Sequence, residues 1–162
     1  VLIPKGEATA EIIGSLTFIV VIRYWTQILD FMLGIGIPDV LPLPNPHLVQ
    51  EFSDWLIALA AIGALLGGVK LIAGRWNYAI AGIHTIHSLA NAALILLMAT
   101  SGMLIRHETI TAWSEISGNS TTQVQITSSI GITVFALVLA IVSIGDSLRR
   151  WVQARQAESE QS

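Results

Sequence analysis

The sequence predicts an all-α, polytopic integral membrane protein: four transmembrane helices in an antiparallel bundle, with both termini cytoplasmic. Three observations lead there. Hydrophobic residues make up 53% of the 162 and charged residues only 12%, whereas soluble domains run nearer a quarter charged. Mean hydropathy is correspondingly high, +0.69. Four long apolar stretches, about 8–37, 53–73, 77–99 and 126–148, approach or exceed the ~20 mainly apolar residues that cross the hydrocarbon, and no strand-like alternation competes with them. The expected organisation is one membrane domain over 1–153 and a polar tail, 154–162, that frays rather than folds.

The first stretch, ATAEIIGSLTFIVVIRYWTQILDFMLGIGI, ends at Pro38. Its fully apolar core, Ile12–Ile22, is too short to span alone. Arg23, Gln27 and Asp30 follow at i, i+4 and i+7. They form either a buried charged line within the membrane or the wet side of a helix lying partly in the interface. The loop PDVLPLPNPHLVQ (38–50) carries four prolines and is expected to be extended and stiff.

Ser53 and Asp54 are candidate caps for the second stretch. Within it, Gly63-x-x-x-Gly67 matches the close-packing motif of membrane helices, and Ala60, Ala64 and Gly68 repeat small residues four apart. Such faces let helix backbones approach, so van der Waals packing drives association. The turn to the third stretch is only GRWN, which implies an antiparallel hairpin.

The third stretch places His84, His87, Ser88 and Asn91 at i, i+3, i+4 and i+7, one polar stripe on a helix. Polar groups at such depth face protein or water rather than lipid. One reading is a helix–helix seam held by hydrogen bonds. The other is a cofactor site, with His84 or His87 ligating haem b or chlorophyll. Bis-histidine ligation then needs a second copy of the chain or another subunit, because His47 and His107 belong to the outer loops. No carboxylate is evident near His84 to complete a metal site.

The polar segment 101–125 contains a possible amphipathic turn around Ile110, Trp113 and Ile116. In the fourth stretch Ser128, Ser129, Thr133 and Ser143 can bond to their own helix carbonyls. Asp146 lies within reach of Arg149 and Arg150 for a helix-surface ion pair.

Orientation follows from the basic residues. With the amino terminus inside, Lys5, Lys70, Arg75, Arg149, Arg150 and Arg155 gather at the cytoplasmic face, while the outer loops 38–52 and 100–125 carry only Arg106. Trp55 and Trp113 fall near the outer interface, Trp76 and Trp151 near the inner one, as an aromatic belt requires. The absence of cysteine excludes a disulfide framework and a thiolate metal site. No basic cluster suggests direct nucleic-acid binding. Nor is there a nucleophile–base–acid set, a phosphate loop or a zinc motif, so no enzyme is expected. The expected partners are the lipid bilayer and either further copies of the chain or other membrane subunits. Val1 is expected to be a cut edge of a processed or longer chain.

The runs IPKGEATAEIIGSLTFIV, IPDVLPLPNPHLVQEF and GGVKLIAGRWNYAIAGIHTIHSLANAALILL, over about residues 3–105, resemble the membrane portion of bacterial integral membrane proteins with an HAAS signalling domain. The matching residues are Pro4 and Lys5, Pro38 and Pro42, Lys70, and Arg75-Trp76. The helical signalling domain that precedes the membrane part in that family is not in this sequence, and the fourth stretch lies outside the match. The resemblance implies a non-catalytic regulatory module of the bacterial inner membrane, of a kind associated with PadR-like transcriptional regulators. A rival comes from HSLANAALILLMATSGMLIRH, which resembles cytochrome b helices in which a histidine precedes an apolar run ending in Thr-Gly, although Ser101 intervenes here. It implies an accessory subunit of an electron-transfer or photosynthetic complex.

Overall fold

The computed structural model describes residues 2–161, and among these residues the fold is all-helical. Six helices follow one another: α1 (Lys5–Arg23), α2 (Trp25–Gly34), α3 (Pro46–Ala73), α4 (Tyr78–Thr100), α5 (His107–Ser117) and α6 (Thr121–Ser159). Helices α3, α4 and α6 are long and apolar enough to cross a membrane, and α1 with α2 makes a fourth candidate if the bent pair counts as one span.

The bend corrects the first expectation. The stretch 8–37 is not one helix but two, starting at Lys5 and turning by 75° at Tyr24. Tyr24 leaves helical geometry (φ −112°, ψ 21°), and the next residue, Trp25, donates its indole N–H to the Pro44 carbonyl at 2.9 Å. Leu29 is buried and Ile28, Met32 and Leu33 half-buried, while Gln27 and Asp30 stay exposed. The amphipathic second half thus folds over the start of α3, and Arg23 and Asp30 form no common buried line.

Helix α3 begins seven residues before the expected 53. Asn45 accepts the His47 amide at 3.0 Å, and Pro46 occupies the first helical position, where its missing N–H costs nothing. His47 is therefore helical, and Ser53 donates to the Gln50 carbonyl instead of capping a helix. Gly74 closes α3 in the left-handed region (φ 70°), a conformation glycine adopts without steric cost. Asn77 then opens α4 by accepting the Ile80 amide at 2.9 Å, so the tight turn forms where the sequence places it.

Helix α6 starts at Ser120, whose hydroxyl accepts the Gln123 amide, and extends well past 148. The tail expected to fray is helical to Ser159, with Ala154 and Ala157 buried. Ala154 joins Ile3, Ala8, Leu66, Trp76, Ile80 and Ala81 in one apolar cluster. A second cluster, Leu48, Leu56, Leu94 and Met98, lies at the opposite end of α3 and α4.

Two extensive pairings organise the long helices, α1 along α3 and α4 along α6, and α3 joins them through a narrower contact with α4. The glycine face of α3 receives α1. A Cβ on Gly67 would lie 2.7 Å from the Ile12 side chain and 3.1 Å from the Ala8 carbonyl oxygen, and one on Gly63 would lie 2.9 Å from the Ser15 hydroxyl. Gly68, the last member of the offset small-residue row, has open space around it and makes no comparable approach.

At the end holding α2 and α5, the loops knit together. Pro44 and Ile105 form an isolated bridge, Asn45 donates to Leu104 at 2.8 Å, and Trp113 donates to the Val40 carbonyl at 2.8 Å. Arg106, the one basic residue of these loops, is buried with Asp39 at 3.6 Å and Glu108 at 4.0 Å. Of the expected amphipathic turn, Ile110 is buried but Ile116 is 75% exposed.

Candidate functional site

At the other end, where α1 begins and α6 ends, six ionisable side chains from four helices meet. Glu7 and Glu11 stand one turn apart on α1, so both face α3 and the late part of α6. Lys70 lies one turn before the end of α3, His84 two turns into α4, and Asp146 and Arg150 one turn apart on α6.

Lys70 is the centre. Only 1% exposed, it donates to Glu11 at 2.7 Å and to His84 Nδ1 at 3.1 Å. An ammonium has no acceptor to offer, so Nδ1 must accept and the imidazole proton resides on Nε2. Nε2 faces Asp146 at 3.2 Å and donates to it. The other oxygen of Asp146 lies 3.6 Å from Arg150 Nε, and Arg150 reaches back to Glu7 at 2.7 Å. The chain Glu11–Lys70–His84–Asp146–Arg150–Glu7 therefore begins and ends on α1 after visiting every other long helix.

Trp76 fills the space these groups enclose. It is 1% exposed, with the Lys70 ammonium 5.1 Å and the Arg150 guanidinium 4.7 Å from its ring centroid and the His84 ring edge-on at 5.5 Å. Both cations thus gain an aromatic face as well as carboxylates. The position is set by the turn: Ile3 donates to the Gly74 carbonyl at 2.9 Å, and Leu2 bridges Arg75, pinning the entry of α1 to the α3–α4 connection.

His87 and Asn91 belong to a different contact. His87 Nε2 donates to the Leu59 carbonyl at 2.7 Å, and Asn91 lies 3.4 Å from Nδ1. Gly63 makes the approach possible, since a Cβ there would meet the imidazole at 3.2 Å. The stripe thus splits: His87, with Asn91 beside it on the same helix, joins α4 to α3, whereas His84 reaches α6 as well. The Gly63-x-x-x-Gly67 face serves α1 and His87 together, and Arg23 and Asp30 lie apart from this site.

Sequence reasoning missed Glu7, Glu11 and Trp76 as partners, treated Lys70 as an interfacial charge, and found no carboxylate near His84, where Asp146 stands. The i, i+4 spacing of Asp146 and Arg150 was the one legible fragment. The partners are 59 positions apart for Lys70 and Glu11, 62 for His84 and Asp146, and 143 for Arg150 and Glu7, and no local pattern encodes such distances.

As ligands, both imidazoles are already engaged. Each nitrogen of His84 has a protein partner, and His87 gives Nε2 to a backbone carbonyl with Asn91 against Nδ1. A haem iron or chlorophyll magnesium would have to displace one of these bonds. Among the described residues, no group of three His, Cys, Asp or Glu side chains has metal-binding geometry. The arrangement is suited to locking helices together through paired charges. No family model, curated protein or solved structure matches the chain.

Proposed function

We propose that the chain is the non-catalytic membrane module of a regulatory or signalling protein or of a larger membrane assembly. In this reading four spans form an antiparallel bundle with both termini on the cytoplasmic face of a bacterial inner membrane, α1 and the bent α2 counting as one span. The observation that supports it is the closed ionic chain from Glu11 round to Glu7. It ties the start of α1 to the end of α6 through Lys70 and His84, so any change in helix packing is passed to the two segments that lead out of the membrane. A buried ion pair adds little net stability over a hydrophobic contact, but it is costly to break, which suits a latch with two discrete states. Lipid covers the wide apolar face of α6, of whose most apolar window only 6% is buried, except where another subunit packs there.

The test uses the absence of native cysteine. Spin labels on Gly6→Cys and Glu158→Cys report the spacing of the terminal segments in proteoliposomes, and labels on Glu51→Cys and Glu115→Cys report the opposite end. Lys70→Gln is expected to broaden or shift the first distance distribution and leave the second unchanged. An unchanged first distribution would show that the network does not couple helix packing to the termini, and the regulatory reading would fall.

A further inference from the structure

Helix α1 packs along α3 and α4 along α6, while α3 meets α4 over a narrower contact. Among the described residues two side-chain hydrogen bonds cross that contact: His87 to the Leu59 carbonyl deeper in the bundle, and Lys70 to His84 at the network end. The second bond carries a condition. An ammonium can only donate, so Lys70 needs the lone pair of His84 Nδ1. A proton from water that bonds to Nδ1 takes that lone pair and sets an imidazolium 3.1 Å from the ammonium. Each cation still has a carboxylate to hold, Lys70 with Glu11 at 2.7 Å and His84 with Asp146 at 3.2 Å. The repulsion therefore falls between α3 and α4. It leaves Glu11–Lys70 inside one helix pair and His84–Asp146 inside the other.

The charges that face His84 come from every helix packed around it. Lys70 on α3 opposes the proton, while Asp146 on α6 and Glu11 on α1 favour it. Behind them Arg150 on α6 meets Glu7 on α1 at 2.7 Å, and the Trp76 ring lies edge-on to the imidazole. Three carboxylates thus surround two cations. With a neutral imidazole the cluster carries one net negative charge, and the proton supplies the missing positive one. Asp146, whose side chain is 39% exposed, gives the cluster an open side.

We propose that His84 Nδ1 is a proton-binding site whose occupation parts the α1–α3 pair from the α4–α6 pair at the network end. Its regulatory use rests on the latch reading above, with acidity as the signal; the site itself stands on the geometry. The experiment is nitrogen-15 NMR of the histidine-labelled full chain in proteoliposomes from pH 8 to pH 5, the interval in which histidine ordinarily titrates. His84→Asn, or His84→Gln if the first does not fold, identifies the His84 signal. The unprotonated Nδ1 resonance is expected at pH 8 and lost by pH 5. An Nδ1 that stays unprotonated throughout overturns the site. Spin labels on Ile72→Cys and Val152→Cys, on α3 and α6 outside the network, read the separation of the two pairs. Acidification is expected to shift or broaden their distance distribution, as Lys70→Gln does at pH 8, and the His84 variant to abolish the response to pH. A response that persists in that variant belongs to the carboxylates and overturns the assignment. Titration of Nδ1 with fixed distances overturns the parting of the pairs. If Lys70→Gln still moves the Gly6–Glu158 distribution in that case, the regulatory reading survives without the proton.

Discussion

Gly67 and Lys70 stand one turn apart on α3 and constrain the fold in opposite ways, one by lacking a side chain and the other by burying a charged one. At Gly67 the obstacle to a methyl group is partly backbone: the Ala8 carbonyl oxygen, 3.1 Å from an ideal Cβ, moves only if α1 moves. Gly67→Ala is therefore expected to lower stability in detergent or bicelles by about 1–3 kcal/mol. Gly68→Ala, where nothing lies within 4 Å, should be neutral or slightly stabilising, since alanine is the better helix former. Equal effects at the two positions would mean that α1 does not seat on the Gly63–Gly67 face. Lys70→Met removes the partner of Glu11 and the donor to His84 Nδ1. Leaving such a pair half-made costs about 3–5 kcal/mol in a buried setting. Glu11→Leu added to Lys70→Met should recover part of that loss, because the stranded carboxylate is gone. A double mutant as unstable as the sum of the singles would deny the coupling read from the 2.7 Å contact.

At the scale of elements, what hydropathy could and could not convey becomes plain. The spans α3, α4 and α6 were legible because a bilayer demands long apolar runs, and the Gly74–Asn77 turn because its residues carry cap chemistry. The break in α1–α2 was not, since neither proline nor glycine marks Tyr24 and the bend rests on a long-range bond from Trp25 to Pro44. Asn45-Pro46 did encode the start of α3, but in a polar, proline-rich loop the hydropathy of 53–73 outweighed it. The end of α6 shows the converse: residues 149–159 are polar in composition, yet Ser147, Ala154 and Ala157 are buried along one face, a small-residue stripe hidden among arginines, glutamines and glutamates. Buried, cluster-packed backbone opens only with the unit it packs against. Amides of 149–157 should thus resist hydrogen exchange almost as well as those of 136–148, and Ala154→Pro should release them. Immediate exchange of 149–157 in the wild type would restore the frayed tail that composition suggests.

For the whole molecule, the decisive constraint is that one ionic chain joins the first turns of α1 to the last quarter of α6 by way of the α3–α4 turn. Arg150 reaches Glu7 at 2.7 Å and Trp151 donates to Thr85 at 2.9 Å, so the beginning of the described chain and the late part of α6 lie at the same end of the long helices. The opposite end holds α2, α5 and Arg106, whose guanidinium lies 3.6 Å from Asp39 and 4.0 Å from Glu108. Arg23 and Arg106 are the two basic residues at that end, against Lys5, Lys70, Arg75, Arg149, Arg150 and Arg155 at the other, so the basic-residue bias favours the side of the termini as cytoplasmic. Single-cysteine variants in oriented membrane vesicles therefore have a definite expected pattern. Cysteines at Gly6 and Glu158 should react with a membrane-impermeant maleimide only from the cytoplasmic side, and cysteines at Glu51 and Glu115 only from the other. Labelling of positions 6 and 158 from opposite sides would leave Glu7 and Arg150 a membrane apart, and the closed network could not exist. Labelling of both from the outer side would keep the network but invert the protein, and the charge argument for its orientation would fail.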